Sequence, residues 1–408
     1  MDSLPIFPGG EAGAGNLGGS GAVLPPGTGS GGTSNAPPPV SAGGSSSEIP
    51  GNNIDGFSGA SGSTNGPNPN NTGGTTGNNE GGASGSGQEP DPNEPPPEPA
   101  GDGRAGAELC PDGPFGAPLP ASPQVNKLFS VGENNFFNFE GPVWVGNALY
   151  FSEIGGGNAP PPSRINRFIP AGTLERGVLQ NTGSNGLGVD ADGNLIAATH
   201  DLGAISTFAL PGGARGQLGA QTFNGNRFNS PNDVVERSDG NVYFTDPAFQ
   251  APGNPQGATR VYRLAPDGTA SVVDASLSNP NGITLSPDGN TLYVTAANGF
   301  FRYALDAAGA PGAQTSMGAN EALQTPDGMA VDCAGNIYTT EHFRRLVRVF
   351  APDGTELGRF GGPGSFDRDI TNLAFGGPNR TTMFVTSLTQ GQEGGVFSVE
   401  LQVPGLPY

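Results

Sequence analysis

The chain has 408 residues and a formal net charge of −20, and glycine (71) and proline (41) are both abundant. An acidic chain without a basic stripe is a poor partner for nucleic acid. No apolar run is long enough to span a bilayer.

Residues 1–108 are a separate material, built from Gly, Ser, Asn, Thr and Pro with Phe7 and Phe57 as the only aromatics. Such a composition cannot bury a core and predicts a disordered acidic spacer. Its eleven acids against the single base Arg104 carry half of the net charge. The proline-rich stretch 89–99 should be stiff and extended, and the part before it flexible. The start, Met-Asp-Ser-Leu-Pro-Ile-Phe-Pro, has neither a positive n-region nor an apolar h-region, so no signal peptide is visible.

A lead-in segment, 109–122, carries Cys110, and the only other cysteine is Cys333. The two read either as a disulfide stapling the lead-in to the domain, which needs an oxidising compartment, or as two unrelated thiols. A spacer and a disulfide together favour an extracellular or cell-envelope location.

From 123 to 408 one pattern recurs six times: an amide or acid, a first strand, a turn, and a second, aromatic-rich strand. The turn residues Asn147, Asn194, Asn241, Asn290, Asn336 and Asn379 are 43 to 49 residues apart. Apolar strand runs joined by Asp-Gly-Asn turns at that period predict the blades of a propeller rather than a helical solenoid. A third strand repeats in the same phase, from Arg164-Ile-Asn-Arg-Phe-Ile to Gly395-Val-Phe-Ser-Val-Glu. The fold class expected is therefore all-β, a six-bladed β-propeller.

The first strands of a propeller run along its central channel, so equivalent positions converge there. Alignment on the turns puts Glu140, Asn185, Asn232, Asn281, Asp327 and Asn372 in register. All six bear oxygen. Four amides and two carboxylates suit a hard cation, calcium first, with magnesium and manganese as alternatives and zinc the least suited. Asn and Asp also cap strands and make turns in any propeller, which is the plain alternative for each residue alone.

An oxygen-bound divalent cation can polarise a carbonyl and acidify its water, a route to ester or lactone hydrolysis without a protein nucleophile. Asp327 could take the water proton. A Ser-His-Asp hydrolase is disfavoured, because no Gly-x-Ser-x-Gly elbow surrounds any serine. The only histidines, His200 and His342, each follow the second strand of their repeat. Either could sit at the channel mouth and relay a proton, or be an ordinary strand-end residue. Asp233 and Asp246 read as turn-bonding carboxylates or as parts of a second calcium site.

The motifs Glu140-Gly-Pro-Val-Trp, Arg227-Phe-Asn-Ser-Pro-Asn-Asp-Val-Val, Pro280-Asn-Gly-Ile-Thr-Leu-Ser-Pro-Asp-Gly and Pro326-Asp-Gly-Met-Ala-Val-Asp resemble, as a set, the senescence marker protein, gluconolactonase and luciferin-regenerating enzyme family of six-bladed propellers. The resemblance covers about residues 123–405. It implies metal ligation by Glu140, Asn281 and Asp327, substrate contact by Asn232 and Arg227, and a general-base role for Asp327. It leaves Asn185, Asn372 and His200 as channel-lining positions without a role. One departure is visible: residues 248–257 lack the acid that some sugar-lactone members use to hold substrate, which argues against glucose-type lactones. The expectation is a monomeric, calcium-dependent hydrolase of small lactones or esters. The competing one is a non-enzymatic binding module with a structural calcium, recognising a protein or glycan at a cell surface.

Overall fold

The computed structural model describes residues 110–406 apart from 131–135, 171, 319–321 and 391. The spacer expected over 1–108 lies outside the described residues. Every regular element among the described residues is a β-strand, as the period-two runs of Val, Ile, Tyr, Phe and Thr demand. No helix is long and apolar enough to cross a membrane.

The strands form four separate four-stranded antiparallel sheets, within 184–217, 234–274, 280–317 and 326–361, each with its strands paired in chain order. A further eight-stranded sheet has two halves. One half holds Phe136–Val145, Ala148–Gly155, Ser163–Ile169 and Thr173–Leu179, and the other Ile370–Gly376, Thr382–Gln390, Glu393–Glu400 and Asn126–Phe129. Only the pair Asn138↔Leu388 joins them. The outer strand Asn126–Phe129 precedes the whole array in sequence yet pairs with Glu393–Glu400 at its end. The start and the end of the array thus share a sheet, which protects an edge that would otherwise stay unpaired.

The arrangement is propeller-like because the first strands pack on one another in succession and the last, Ile370–Gly376, packs on Phe136–Val145. The apolar core follows the same circle. One cluster joins Tyr338 and Val349 to Phe375 and Val385 of the neighbouring sheet, and another joins Phe139 and Phe151 to Phe384 and Val396 across the two halves of the eight-stranded sheet. Aromatics fill these wedges edge-on, as with Tyr338 against Phe375 at 5.1 Å and Phe228 against Phe244 at 5.0 Å. Each such ring, fully buried, contributes about 1.5–3 kcal/mol of transfer free energy.

The Asp-Gly-Asn turns hold by local bonding. Asp190 Oδ1 accepts from the backbone N–H groups of Asp192 and Asn194 while the Asn194 amide donates to Oδ2, and Asp332 repeats this with Ala334 and Asn336. The intervening Gly193 has φ +80°, a conformation that glycine reaches without steric cost.

Cys110 and Cys333 are disulfide-bonded across a separation of 223 residues. The same turn receives the C-terminal segment, since Cys333 N–H donates to the Pro404 carbonyl. Reduction should therefore release the lead-in from one rim. In the chain-entropy account a loop of that length is worth about 5.4 kcal/mol, so thermal melts with and without reductant should differ by roughly 10–20 °C. Coincident melts would mean that the disulfide restrains nothing that unfolds with the sheets.

Candidate active site

Antiparallel pairing places the beginning of each first strand beside the end of the second. Pro326 opposes Glu341, Ser184 opposes Thr199 and Pro280 opposes Ala296. The residues following these positions lie at one end of the channel, together with the loops that leave the second strands. The Asp-Gly-Asn turns lie at the other end.

Strand register puts Glu140, Asn185, Asn232, Asn281 and Asp327 at equivalent positions and moves the sixth. Ile370 opposes Ser387 and Leu373 opposes Val385, just as Pro326 opposes Glu341 and Met329 opposes Thr339. The counterpart of Asp327 is therefore Thr371. Asn372 stands one residue further along, at the level of Gly328. Leu373 and Val385 are twelve residues apart where Met329 and Thr339 are ten, so the last hairpin is longer and alignment by turn residues slips by one there.

At that next level four repeats carry glycine (141, 186, 282 and 328) and two carry Asp233 and Asn372. The glycines are required by space. A Cβ on Gly186 would meet Asp233 Oδ1 at 2.3 Å, and one on Gly328 would meet Asn372 Oδ1 at 1.9 Å. The Asn372 amide donates to Asp233 Oδ2 at 3.4 Å, and it also bonds the Glu140 carboxyl. Beyond this level the channel is lined by apolar side chains, among them Pro142, Leu187, Ile283 and Met329.

Buried threonines fix the backbone of the site, and the sequence pattern did not single them out. Thr295 Oγ1 accepts from Gly282 N–H in its own sheet and donates to the Asp327 carbonyl of the next, at 2.8 and 2.7 Å. Thr245 does the same between Asp233 N–H and the Asn281 carbonyl, at 3.0 and 2.6 Å. Thr340 donates to the Thr371 carbonyl. Three sheets thereby fix the backbone at the equivalent position of the next, at Asn281, Asp327 and Thr371.

Three carboxyls, Glu140, Asp233 and Asp327, are buried in this channel. Burial first, then the charges of Asp327 and Asp233, push the Glu140 pKa well above the usual carboxyl value. Burial likewise raises Asp233 to about 7 and raises Asp327 against the bonds it receives from His342 and Asn281. Among the described residues the cationic candidate touching the group is His342, whose Nδ1 is 3.5 Å from Asp327 Oδ2. That nitrogen carries the proton, because it also donates to the Ile370 carbonyl at 2.7 Å, and a carbonyl only accepts. Burial lowers the His342 pKa, but the Asp327 and Ile370 contacts outweigh it and leave the pKa raised.

A divalent cation fits this donor set. Buried like charges without a counter-charge are costly, and the buried Asn185 Oδ1 has no hydrogen-bond partner. Among the described residues no three His, Cys, Asp or Glu side chains group into a metal site by themselves. Amide oxygens would complete the set, as expected for a hard ion.

The remaining sequence candidates sit around this centre. His200 is fully buried, and its Nε2 donates to the Pro161 carbonyl at 2.9 Å; it therefore ties the 156–162 loop to the channel mouth. Of the two histidines it is His342 that reaches Asp327. Arg227 directs its N–H groups to the carbonyls of His200, Asp201, Phe228 and Asn229, which braces the loop leading to Asn232. Asp246 accepts from Asn229 and Ser230 N–H at 2.9 Å each and clamps the same loop.

A channel of buried carboxyls and amides inside a propeller-like ring defines a class, and comparison with known proteins places the chain within it. It belongs to the SMP-30/gluconolactonase/LRE-like family, whose signature matches residues 139–389. It is 32% identical to a gluconolactonase of Zymomonas mobilis over 61% of this chain and 75% of that protein. It is also 32% identical to the pentonolactonase XacC of Haloferax volcanii, over 62% of this chain and 82% of that one. Among solved structures, a gluconolactonase of Xanthomonas campestris superposes with a TM-score of 0.56 at 27% identity, covering 72% of this chain and all of that one.

Proposed function

We propose that this chain hydrolyses lactones or related esters with the help of a divalent cation, calcium first, in the channel of a six-bladed propeller. The blade count takes the eight-stranded sheet as two blades, because one residue pair joins its halves. The observation that carries the functional reading is the convergence of Glu140, Asn281 and Asp327 in a buried channel short of positive charge. The gluconolactonase and pentonolactonase relatives support the choice of substrate class.

Glu140, Asn281 and Asp327 would hold the cation. When bound, it polarises the ester carbonyl and lowers the pKa of a water. The carboxylate of Asp327 takes a proton from the attacking water as its oxygen bonds to the acyl carbon. The ring C–O bond breaks, the leaving alkoxide takes the proton back from Asp327, and a hydroxy acid leaves with Asp327 again a carboxylate. His342 and Asn281 hold Asp327 in place during this transfer. Asn232 faces the substrate, and Arg227 fixes the loop that carries it.

The test is turnover of five- and six-membered lactones by the purified chain with calcium, magnesium, manganese or zinc, with chelator, and with Asp327→Ala. Loss of turnover in chelator and in the variant is expected. Calcium binding without turnover on any lactone would indicate a structural ion in a binding module instead. Binding should also register as stability, since an ion that binds only the folded state raises Tm by mass action. At a hundredfold excess over Kd the gain is about 2.7 kcal/mol, and Glu140→Gln should abolish it. An unchanged calcium-induced shift in that variant would remove Glu140 from the site.

A further inference from the structure

The large apolar side chains that remain exposed are not scattered. Phe343 (66% exposed), Leu202 (44%), Phe249 (43%) and Phe137 (41%) all lie at the end of the channel where the acidic site opens. The first three stand on loops leaving second strands, and Phe137 stands near the beginning of the first. Only Leu128 and Leu357 are comparably exposed elsewhere among the described residues. Single exposed apolar residues need no explanation, but a group around one opening does.

Phe343 is the most informative of the four. Its ring meets that of His342 edge-on at 4.7 Å, and His342 reaches Asp327. One aromatic step thus connects the proposed proton acceptor to solvent. Phe137 is held by close packing over Gly156, where an added Cβ would lie 2.6 Å from its Cε1.

Charged recognition at the same rim is already committed to the protein. Arg227 serves four backbone carbonyls, Arg345 bonds Asp369, and Asp201 is held by Arg215. A polyhydroxy lactone needs directed hydrogen bonds to its hydroxyls, and these engaged charges do not offer them at the rim. An apolar substituent needs only surface to cover.

We infer that the substrate is an amphiphilic lactone or ester, whose carbonyl enters the polar ring while an alkyl or aryl substituent rests on the rim of Phe343, Leu202, Phe249 and Phe137. This deepens the lactonase reading and rests on it. The relatives are named for sugar lactones, whereas the rim of this chain belongs to loops, where specificity diverges.

The test compares kcat/KM for dihydrocoumarin and δ-nonalactone with that for D-glucono-δ-lactone, in the parent chain and in Phe343→Ser and Leu202→Ser. Both substitutions fall on exposed positions, so the variants should fold. The apolar lactones should be preferred, and the preference should fall about tenfold in Phe343→Ser, the range typical of one apolar pocket contact. A preference for the sugar lactone, or a ratio unmoved in both variants, overturns the rim assignment while leaving a lactonase. Turnover of neither class overturns the hydrolase reading itself, and this inference with it.

Discussion

Replacing Asp327 by Asn should lower kcat on any lactone the chain hydrolyses by about a thousandfold, the scale of a lost general base. The side chain keeps its volume, and its amide oxygen can still face Asn281 and the His342 Nδ1–H, which contact Asp327 in the parent. What disappears is the ability to accept a proton from water. The backbone should stay in place, because Thr295 holds the residue-327 carbonyl at 2.7 Å whatever the side chain is. Turnover with saturating calcium, read beside a thermal melt, separates the two effects. A variant that melts with the parent and keeps kcat within tenfold would show that Asp327 is no base.

Removing a buried carboxyl charge from a group of three can even raise stability when no cation is bound. Glu140 feels Asp327 as its second-largest upward influence after burial. Loss of activity with equal or higher stability is therefore the specific signature expected, and it differs from the signature of a damaged core.

Much of this site was legible in the sequence, for a physical reason. The period of 43 to 49 residues and the Asp-Gly-Asn turns express a repeated local structure, so register could be counted from turn to turn. That logic placed Glu140, Asn185, Asn232, Asn281 and Asp327 together. It failed at Asn372 because the turn itself varies. Anchoring on the second strand would have found Thr371, since Thr386 in the last repeat matches Thr340 in the one before by strand pairing. The threonine bridges were invisible because they join one sheet to the next, and no spacing within a repeat records that. The choice between His200 and His342 was open for the same reason. Both follow a second strand, but one side chain turns to the Pro161 carbonyl and the other to Asp327. Side-chain direction at a strand end depends on neighbours brought in by tertiary packing.

The other large effect is expected at Gly141, where fold and site meet. Its φ is +50°, and a Cβ there would lie 2.3 Å from the Asn185 carbonyl oxygen, 2.5 Å from Gly186 Cα and 2.7 Å from Leu187 N. All three are backbone atoms of the adjacent sheet, so no side chain can swing away. Gly141→Ala must push two sheets apart, at a cost of about 4 kcal/mol or more. Gly253→Ala is the control, with φ +89° and nothing within 4 Å of the added Cβ. It carries the conformational penalty alone, about 1 kcal/mol. A chain of this size loses about 2–4 °C of Tm per kcal/mol, so the two variants should melt roughly 10 °C apart. Equal melting temperatures would mean that the sheets do not meet at Gly141 as closely as the structure has them. The consequence reaches the chemistry, because the same contact sets Glu140 beside Asn185. Any Gly141→Ala protein that still folds should hold its cation more weakly than a variant destabilised equally at a distance, such as one lacking the Cys110–Cys333 bond. Calcium affinity of the two, compared at a temperature where both are folded, distinguishes a deformed site from a merely less stable fold.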